Sequence, residues 1–327
     1  MKQELNYETT SRISQLCPDA DELSLPAPLK QEQLRVHIAA LGDVGASLLL
    51  GLRLLGGGLI GRIGIYDLNP NTVLRYEAEM NQIGWPFGTR ELPEVIPITE
   101  DEMFDCDLFV FCATKAVPPL GSGGDVRMLQ FEANRKIAAH YGMLAGASGY
   151  QGLFAVVSDP VDPLCKEVLL TSGLSPAQIR GYGLGVMNKR AEYFARKDAR
   201  FASYLTEGRA FGPHGADLVI ANSIRNYDDA LSRELTDLTV HANLVIRDLG
   251  FKPYLAPALS SAAISLLLTL QGEWHYSSVY LGRGTEGAFL GLRGRIASQT
   301  VEYEDLPLPP ALYSRIERAY RNLCALI

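Results

Sequence analysis

The sequence predicts an α/β protein in two parts, a doubly wound parallel sheet followed by an α+β half. Three observations predict it. Between Val36 and Asp67 a buried strand, a glycine turn, a helix and a second strand follow one another directly. Up to about residue 184, apolar runs of strand length keep alternating with helical segments, which is the rhythm of parallel strands joined by crossover helices. After Tyr227 that rhythm gives way to two long helices, then strands of alternating polarity, then a closing helix.

The first unit carries the clearest chemistry. Val36 to Leu41 is an apolar run long enough for a buried strand, and Gly42-Asp43-Val44-Gly45 turns the chain at once. Ala46 to Leu55 is rich in helix formers, and Gly56-Gly57-Gly58 stops the helix because glycine tolerates the left-handed cap. Arg62 to Tyr66 is the second strand, closing on Asp67. This is the order of a Rossmann-type dinucleotide-binding unit. Glycines let the backbone approach a pyrophosphate, and the helix N-terminus offers it unpaired N–H groups. Asp67 lies 22 positions after Gly45, where an acidic residue meets the ribose hydroxyls. It would repel a 2′-phosphate, and Asp67-Leu68-Asn69-Pro70 offers no arginine to hold one, so NAD is expected over NADP. Two residues depart from G-x-G-x-x-G: its first glycine is Ala40, and Asp43 brings a negative charge toward the pyrophosphate.

Length and composition bound the rest. The 327 residues suggest about two domains, and 47% apolar with 20% charged residues is ample for a core. A net charge of −7 argues against a nucleic-acid backbone as partner. The five cysteines (17, 106, 112, 165 and 324) are scattered, without CxxC or a Cys/His cluster. They read as reduced thiols of a cytoplasmic protein rather than a metal site or disulfide framework. The N-terminal MKQELNYETTSRISQ lacks the apolar core of a signal peptide, and Ala256 to Leu270 is too short and serine-rich to span a bilayer.

In chain order, residues 1–34 are polar and broken by prolines, so they read as a tail or as an arm on a neighbouring subunit. The first domain is expected over 35–180 and the second over 181–327. Thr72 to Asn81 reads as a helix, and Val95 to Thr99 and Asp107 to Ala113 as buried strands. Residues 114–125, with two prolines and Gly-Ser-Gly-Gly, cannot be regular. They form a loop at the carboxyl end of a central strand, where open α/β sheets bind ligands, and a mobile lid is expected there. Arg127 opens the next helix, which continues through Asn134 and Ala138. Gly152 to Val157 and Ile179 to Leu184 complete the parallel strands, with a helix to about Leu170 and a Ser175-Pro176 cap between them. Tyr227 to Leu249 places Leu231, Leu235, Leu238, Ala242, Val245 and Leu249 on one helical face, and Gly250 ends the helix. Ala256 to Leu270 is a second, more buried helix. Ser277 to Gly282, Ala288 to Ile296 and Thr300 to Glu304 alternate as antiparallel strands, and Pro309 to Ile327 is the closing amphipathic helix, with Leu312, Ile316, Leu323 and Ile327 inward.

Taken together, the motifs resemble those of the lactate/malate dehydrogenase family, in that family's order, over nearly all of positions 35 to 326. Gly42-Asp43-Val44-Gly45 and Asp67 match its NAD-binding turn, and Arg127, seven before Asn134, matches R-x-x-x-x-x-x-N. Ser158-Asp159-Pro160-Val161-Asp162 is similar to N-P-V-D, Gly181-Tyr182-Gly183 with Arg190 to G-x-G…L-D-x-x-R, and Gly212-Pro213-His214-Gly215 to G-x-H-G. The resemblance implies an NAD-dependent dehydrogenase of a small carboxylate, a 2-hydroxy acid or related compound, working as a homodimer or homotetramer. By the same resemblance, His214 is the acid/base, Arg127 polarises the substrate carbonyl from the loop, and Arg190 clamps the substrate carboxylate. It also places Gly42, Asp43, Val44, Gly45, Asp67, Asn134 and Ser158 at the cofactor, and Asp159 beside the reacting atoms. His37, His140, His241 and His275 have no comparable context. Read without the resemblance, His214 is a turn histidine, Arg190 a solvated charge and Arg127 a helix-start residue.

The departures are chemical. Asp159 stands where the family has asparagine, and an ionised aspartate only accepts hydrogen bonds. Met187 stands where the family has the aspartate behind the histidine, and methionine cannot stabilise an imidazolium. The 112–127 loop is longer than usual, and Gly121 sits where the family reads its substrate. These changes leave a second reading open: a catalytically altered or inactive NAD-binding protein with a sensing or assembly role. A third, an NAD-dependent sugar hydrolase, would need a metal held by Cys and His, and no such pair is apparent.

Overall fold

The computed structural model describes residues 10–30, 32–115 and 126–327, with 126–130 described by their backbone alone. The parallel strands are β1 (Leu34–Ala39), β2 (Ile60–Tyr66), β3 (Glu94–Pro97), β4 (Leu108–Phe111), β5 (Leu153–Val156) and β6 (Ile179–Gly181). The helices between them are α1 (Asp43–Leu55), α2 (Pro70–Asn81), α3 (Val126–Ala147) and α4 (Val161–Ser172). In the second half come α5 (Leu184–Lys197), α6 (Tyr204–Glu207), a hairpin of β7 (Arg209–Phe211) and β8 (Val219–Ala221), and α7 (Asp229–Asp248). A π-helical stretch, Pro257–Ala263, runs into α8 (Ile264–Leu270). The antiparallel β9 (His275–Arg283), β10 (Glu286–Ala297) and β11 (Thr300–Tyr303) follow, and α9 (Pro310–Leu326) closes the chain.

Among the described residues, nine strands form one sheet in the order β11-β10-β9-β6-β5-β4-β1-β2-β3. The 3-2-1-4-5-6 part is parallel and doubly wound, as expected from the alternation, and its switch point falls between β1 and β4. Burial explains why β4 is apolar throughout. Leu108 and Val110 face a core shared with α1 and α8, and Phe109 and Phe111 face another shared with α3 and α4. Both faces are covered, so period-two polarity disappears. The antiparallel strands join through a single pairing, Gly181 with Ser278.

Several boundaries differ from the sequence reading for identifiable reasons. Helix α1 starts at Asp43 rather than Ala46, because the glycine turn is itself the first helical turn and the Ala46 N–H already bonds the Gly42 carbonyl at 2.8 Å. The left-handed residue after this helix is Gly58, not Gly56. Strand β6 ends at Gly181 because Leu184 opens α5, which bends the chain off the sheet. Helix α5 and the β7–β8 hairpin, which hold Arg190 and His214, were not placed as elements from the sequence. Their three-residue strands are too short for a periodic signal. The described part of the N-terminal region packs on its own chain. Ile13 and Leu25 are buried, and Ser11 and Ser24 form bridges with Leu308 and Thr300.

Candidate active site

The carboxyl ends of β1 and β4 set one side of the site. Ala40 follows β1 with φ 74°, the left-handed conformation that glycine supplies in the fingerprint, and its N–H is held by the Tyr66 carbonyl at 2.8 Å. An alanine there costs about 1 kcal/mol. Gly42 caps α1 with open space where a side chain would be, and Val44 lies in the first turn. At Gly45 a Cβ would collide with the Ala40 carbonyl oxygen, so this position requires glycine. One Asp67 oxygen accepts from the Leu41 N–H at 2.8 Å and the other from the Asn69 N–H at 2.9 Å, which fixes the carboxylate beside the turn. Each oxygen keeps a further lone pair for a hydroxyl. Asp43 is paired with Lys252 at 2.8 Å, so the charge that looked misplaced in the sequence is offset from the second half of the chain. Arg75, the first cation after the Asp67 turn in sequence, is engaged by Glu79 at 3.0 Å.

The ends of β4 and β5 are tied together by two candidate residues. Asn134, fully buried on α3, donates from Nδ2 to the Asp159 carbonyl at 2.7 Å and accepts the Lys115 N–H at 2.8 Å. Ser158 Oγ donates to the Ala113 carbonyl at 2.6 Å. The Asp159–Pro160 peptide bond is cis. Arg127 is the second residue of α3, and its side chain lies outside the described residues. So does the expected lid from residue 116 to 125.

His214 comes from the turn of the β7–β8 hairpin, pinned by the Gly212 N–H donating to the Gly291 carbonyl at 3.0 Å. Its ring rests on the end of β6. A Cβ at Gly183 would lie 2.9 Å from His214 Cβ and 3.1 Å from Val161 Cγ2, so the glycine makes room for the histidine. His214 Nδ1 lies 3.3 Å from Asp159 Oδ1. Its Nε2 is buried and has no hydrogen-bond partner among the described residues. Met187, buried on α5, accepts from Arg190 Nη1 through its sulfur at 3.5 Å. Burial lowers the pKa of the Arg190 guanidinium from the usual arginine value, and the charge of Asp159 opposes that shift. His214, Asp159 and Arg190 are therefore gathered at one place by a hairpin turn, a strand-end loop and a helix.

Two residues of this neighbourhood were missed in the sequence. Asp162, the second residue of α4, is only 3% exposed and accepts from Ser278 Oγ at 2.6 Å. Burial pushes its carboxyl up to about 6; the Ser278 hydrogen bond and the charge of His214 pull it back. Its place in Ser158-Asp159-Pro160-Val161-Asp162 was the available signal. Lys252, 209 residues from Asp43, gave none. The other buried histidines are structural: His37 bonds the Met103 carbonyl at 2.9 Å, and His275 bonds Thr269 at 2.9 Å, with burial lowering its pKa to about 3.

No protein-family model matches the chain. It is 24% identical over 193 residues to an L-lactate dehydrogenase of Mesomycoplasma hyopneumoniae strain 232, a match covering 58% of each chain. The chain thus spans somewhat over half the length of the curated relatives it matches first. An L-lactate dehydrogenase of Staphylococcus epidermidis is 24% identical over 284 residues, 79% of this chain and 87% of that one. Among solved structures, the minor L-lactate dehydrogenase of Enterococcus mundtii superposes with a TM-score of 0.74 at 22% identity, covering 90% of this chain and 97% of that one. The malate dehydrogenase of Archaeoglobus fulgidus, solved in complex with NADH, gives 0.72 at 16% identity over 89% and 97%. The chain is thus similar in sequence to L-lactate dehydrogenases and shares the fold of the lactate and malate dehydrogenases.

Proposed function

We propose that this protein is an NAD-dependent oxidoreductase acting on a small carboxylate, with the charge around its histidine rearranged. The observation that carries the reading is the 3.3 Å approach of Asp159 to His214 Nδ1, beside Arg190. The residues of the first unit fit the cofactor. Gly42 leaves space, Gly45 packs helix against strand, Asp67 retains acceptors for ribose hydroxyls, and Lys252 offsets Asp43. With Arg75 engaged by Glu79, these groups favour NAD over NADP. Bound NAD supplies the hydride acceptor. Arg190 holds the substrate carboxylate with its planar fork. In this reading His214 is the acid/base that takes the hydroxyl proton, with Asp159 3.3 Å from its Nδ1. Asp159 then stabilises the imidazolium at Nδ1, a task the family gives to an aspartate at the position where this chain has Met187. Arg127 polarises the substrate carbonyl in this reading. The native assembly is a homodimer or homotetramer in the cytoplasm. Among the described residues no helix is long and apolar enough to cross a membrane.

An ionised Asp159 disfavours an ordinary 2-oxo acid, because the substrate oxygen loses a donor and meets a carboxylate. An unpaired buried acceptor costs about 1–3 kcal/mol. A substrate bearing an amine or imine at that position suits it better. The test assays lactate, pyruvate, malate and oxaloacetate with the wild type, with Asp159→Asn, and with Asp159→Asn combined with Met187→Asp. Poor turnover by the wild type and a gain in the double variant are expected. Family-like turnover by the wild type would sink the rearranged-charge reading. So would a double variant that binds NAD normally and gains nothing. Met187 seated under Arg190 favours the second reading, an NAD-binding protein without dehydrogenase turnover, which predicts NAD binding with no gain in any variant.

A further inference from the structure

Helices α5 and α7 pack closely at one end and part at the other. At the closed end Leu235 and Thr239 of α7 are fully buried, with Leu235 in one cluster with Val186, Met187 and Ala191 of α5. Beyond Ala242 the same helical face continues as Val245, Ile246 and Leu249, but these residues are 59%, 39% and 67% exposed. Opposite them α5 presents Arg190, Phe194 and Lys197, spaced by four and three on one face. The segment carrying Phe251 and Lys252 closes the far side. The result is a cleft of about 670 Å³, a size suited to a small organic ligand.

The lining is mostly apolar, with the phenols of Tyr193 and Tyr254 and three cations, Arg190, Lys197 and Lys252, and no acidic side chain lines it among the described residues. Arg190 is the residue to which the proposed reaction assigns the substrate carboxylate. We infer that this cleft is the substrate-side pocket for a carboxylate carrying an extended apolar chain, its head group on Arg190 and its chain along Val245, Ile246 and Phe251. The inference rests on the reading of Arg190 as the carboxylate clamp. An anionic head answers Arg190, since Lys252 is already paired with Asp43 and Lys197 lies over the Tyr193 ring, and an apolar chain covers exposed residues that otherwise face water. Lactate and malate have no chain to place there.

The probe is a series of unbranched carboxylates from butanoate to octanoate, titrated calorimetrically against the full-length protein with NAD present. Each methylene entering the cleft is expected to tighten binding about threefold to fourfold. Octanoate should therefore bind at least about tenfold more tightly than butanoate even if half the chain stays in water. Arg190→Gln should weaken every member alike. Val245→Asp, a change at an exposed position, should flatten the series. A flat wild-type series, or a series unaffected by Arg190→Gln, overturns the inference. So does a self-association that Val245→Asp abolishes in a protein binding no octanoate, since the cleft would then belong to a second copy. The two readings separate cleanly. Chain-length-dependent, Arg190-dependent binding without NAD-linked turnover keeps the pocket and removes the oxidoreductase. Turnover of short acids with a flat series does the reverse.

Discussion

The glycine turn at 40–45 and the pocket around His214 both depart from the family pattern, and they absorb the change differently. At the turn, Ala40 replaces a glycine and still adopts φ 74°, while Lys252 pairs with Asp43. The working groups there are backbone N–H groups and a helix end, which survive side-chain change if the path of the chain is kept. At His214 the groups that the proposed reaction invokes are side chains, so exchanging two of them would alter the chemistry while the fold stays put. Met187 meets Arg190 through its sulfur, and Asp159 brings a carboxylate to 3.3 Å from His214 Nδ1. Backbone-built sites conserve function through substitution, and side-chain-built sites diverge.

The largest expected effect tests the side-chain site. His214→Asn keeps a polar group of similar size without a base in the useful range, and turnover should fall on the order of 10³-fold. NAD affinity, read by calorimetry, should stay within a few-fold. An undiminished rate would remove His214 from the chemistry and make the turn the only working part.

The next concerns Asp162. Its folded pKa of about 6 lies above the ordinary 3.8, so as pH rises the unfolded chain releases this proton first. Between about pH 4 and 6 the folded state holds more protons and stability falls as pH rises. Above that window the penalty is complete, at most about 3 kcal/mol. Asp162→Asn keeps an acceptor for Ser278 and removes the charge. Its stability relative to the wild type should therefore grow from pH 4 to pH 8 in urea unfolding. A difference constant across that range would show that the carboxyl is not held out of its ordinary range.

The smallest effect belongs to the turn. Ala40→Gly should relieve the left-handed alanine and stabilise the protein by up to about 1 kcal/mol without weakening NAD. A destabilised variant would mean that the Ala40 methyl packs usefully and that the turn has adapted to it.

The parallel half was legible because its strands are continuous apolar runs and its crossovers are glycine-punctuated. The Ser175 cap, the end of α7 at Gly250 and the existence of β9 to β11 were legible on local grounds too, although β9 is buried almost throughout instead of alternating. What escaped was whatever depends on distance. Nothing near Asp43 announces Lys252, and nothing near Leu249 says that α5 swings away and leaves half of a periodic face open. Asp162 was visible but looked like the tail of a turn, because burial is not written in a two-residue spacing. His214, Arg190 and Asp159 were named from motif order, yet that the carboxylate meets Nδ1 at 3.3 Å became apparent only in three dimensions.

The seam at Gly181 and Ser278 carries a consequence for anyone reading this protein through mutations. A side chain at Gly181 would strike Val161, Ser278 Oγ (2.8 Å) and Cys165 Sγ (2.9 Å), while Ser278 also holds Asp162 near the histidine. A genetic screen would score residue 181 among the most intolerant sites and group it with the reacting residues, although the proposed reaction gives it no part. Its intolerance is architectural: one narrow weld joins the cofactor sheet to the strands behind the substrate, so inactivity and misassembly share a single phenotype there.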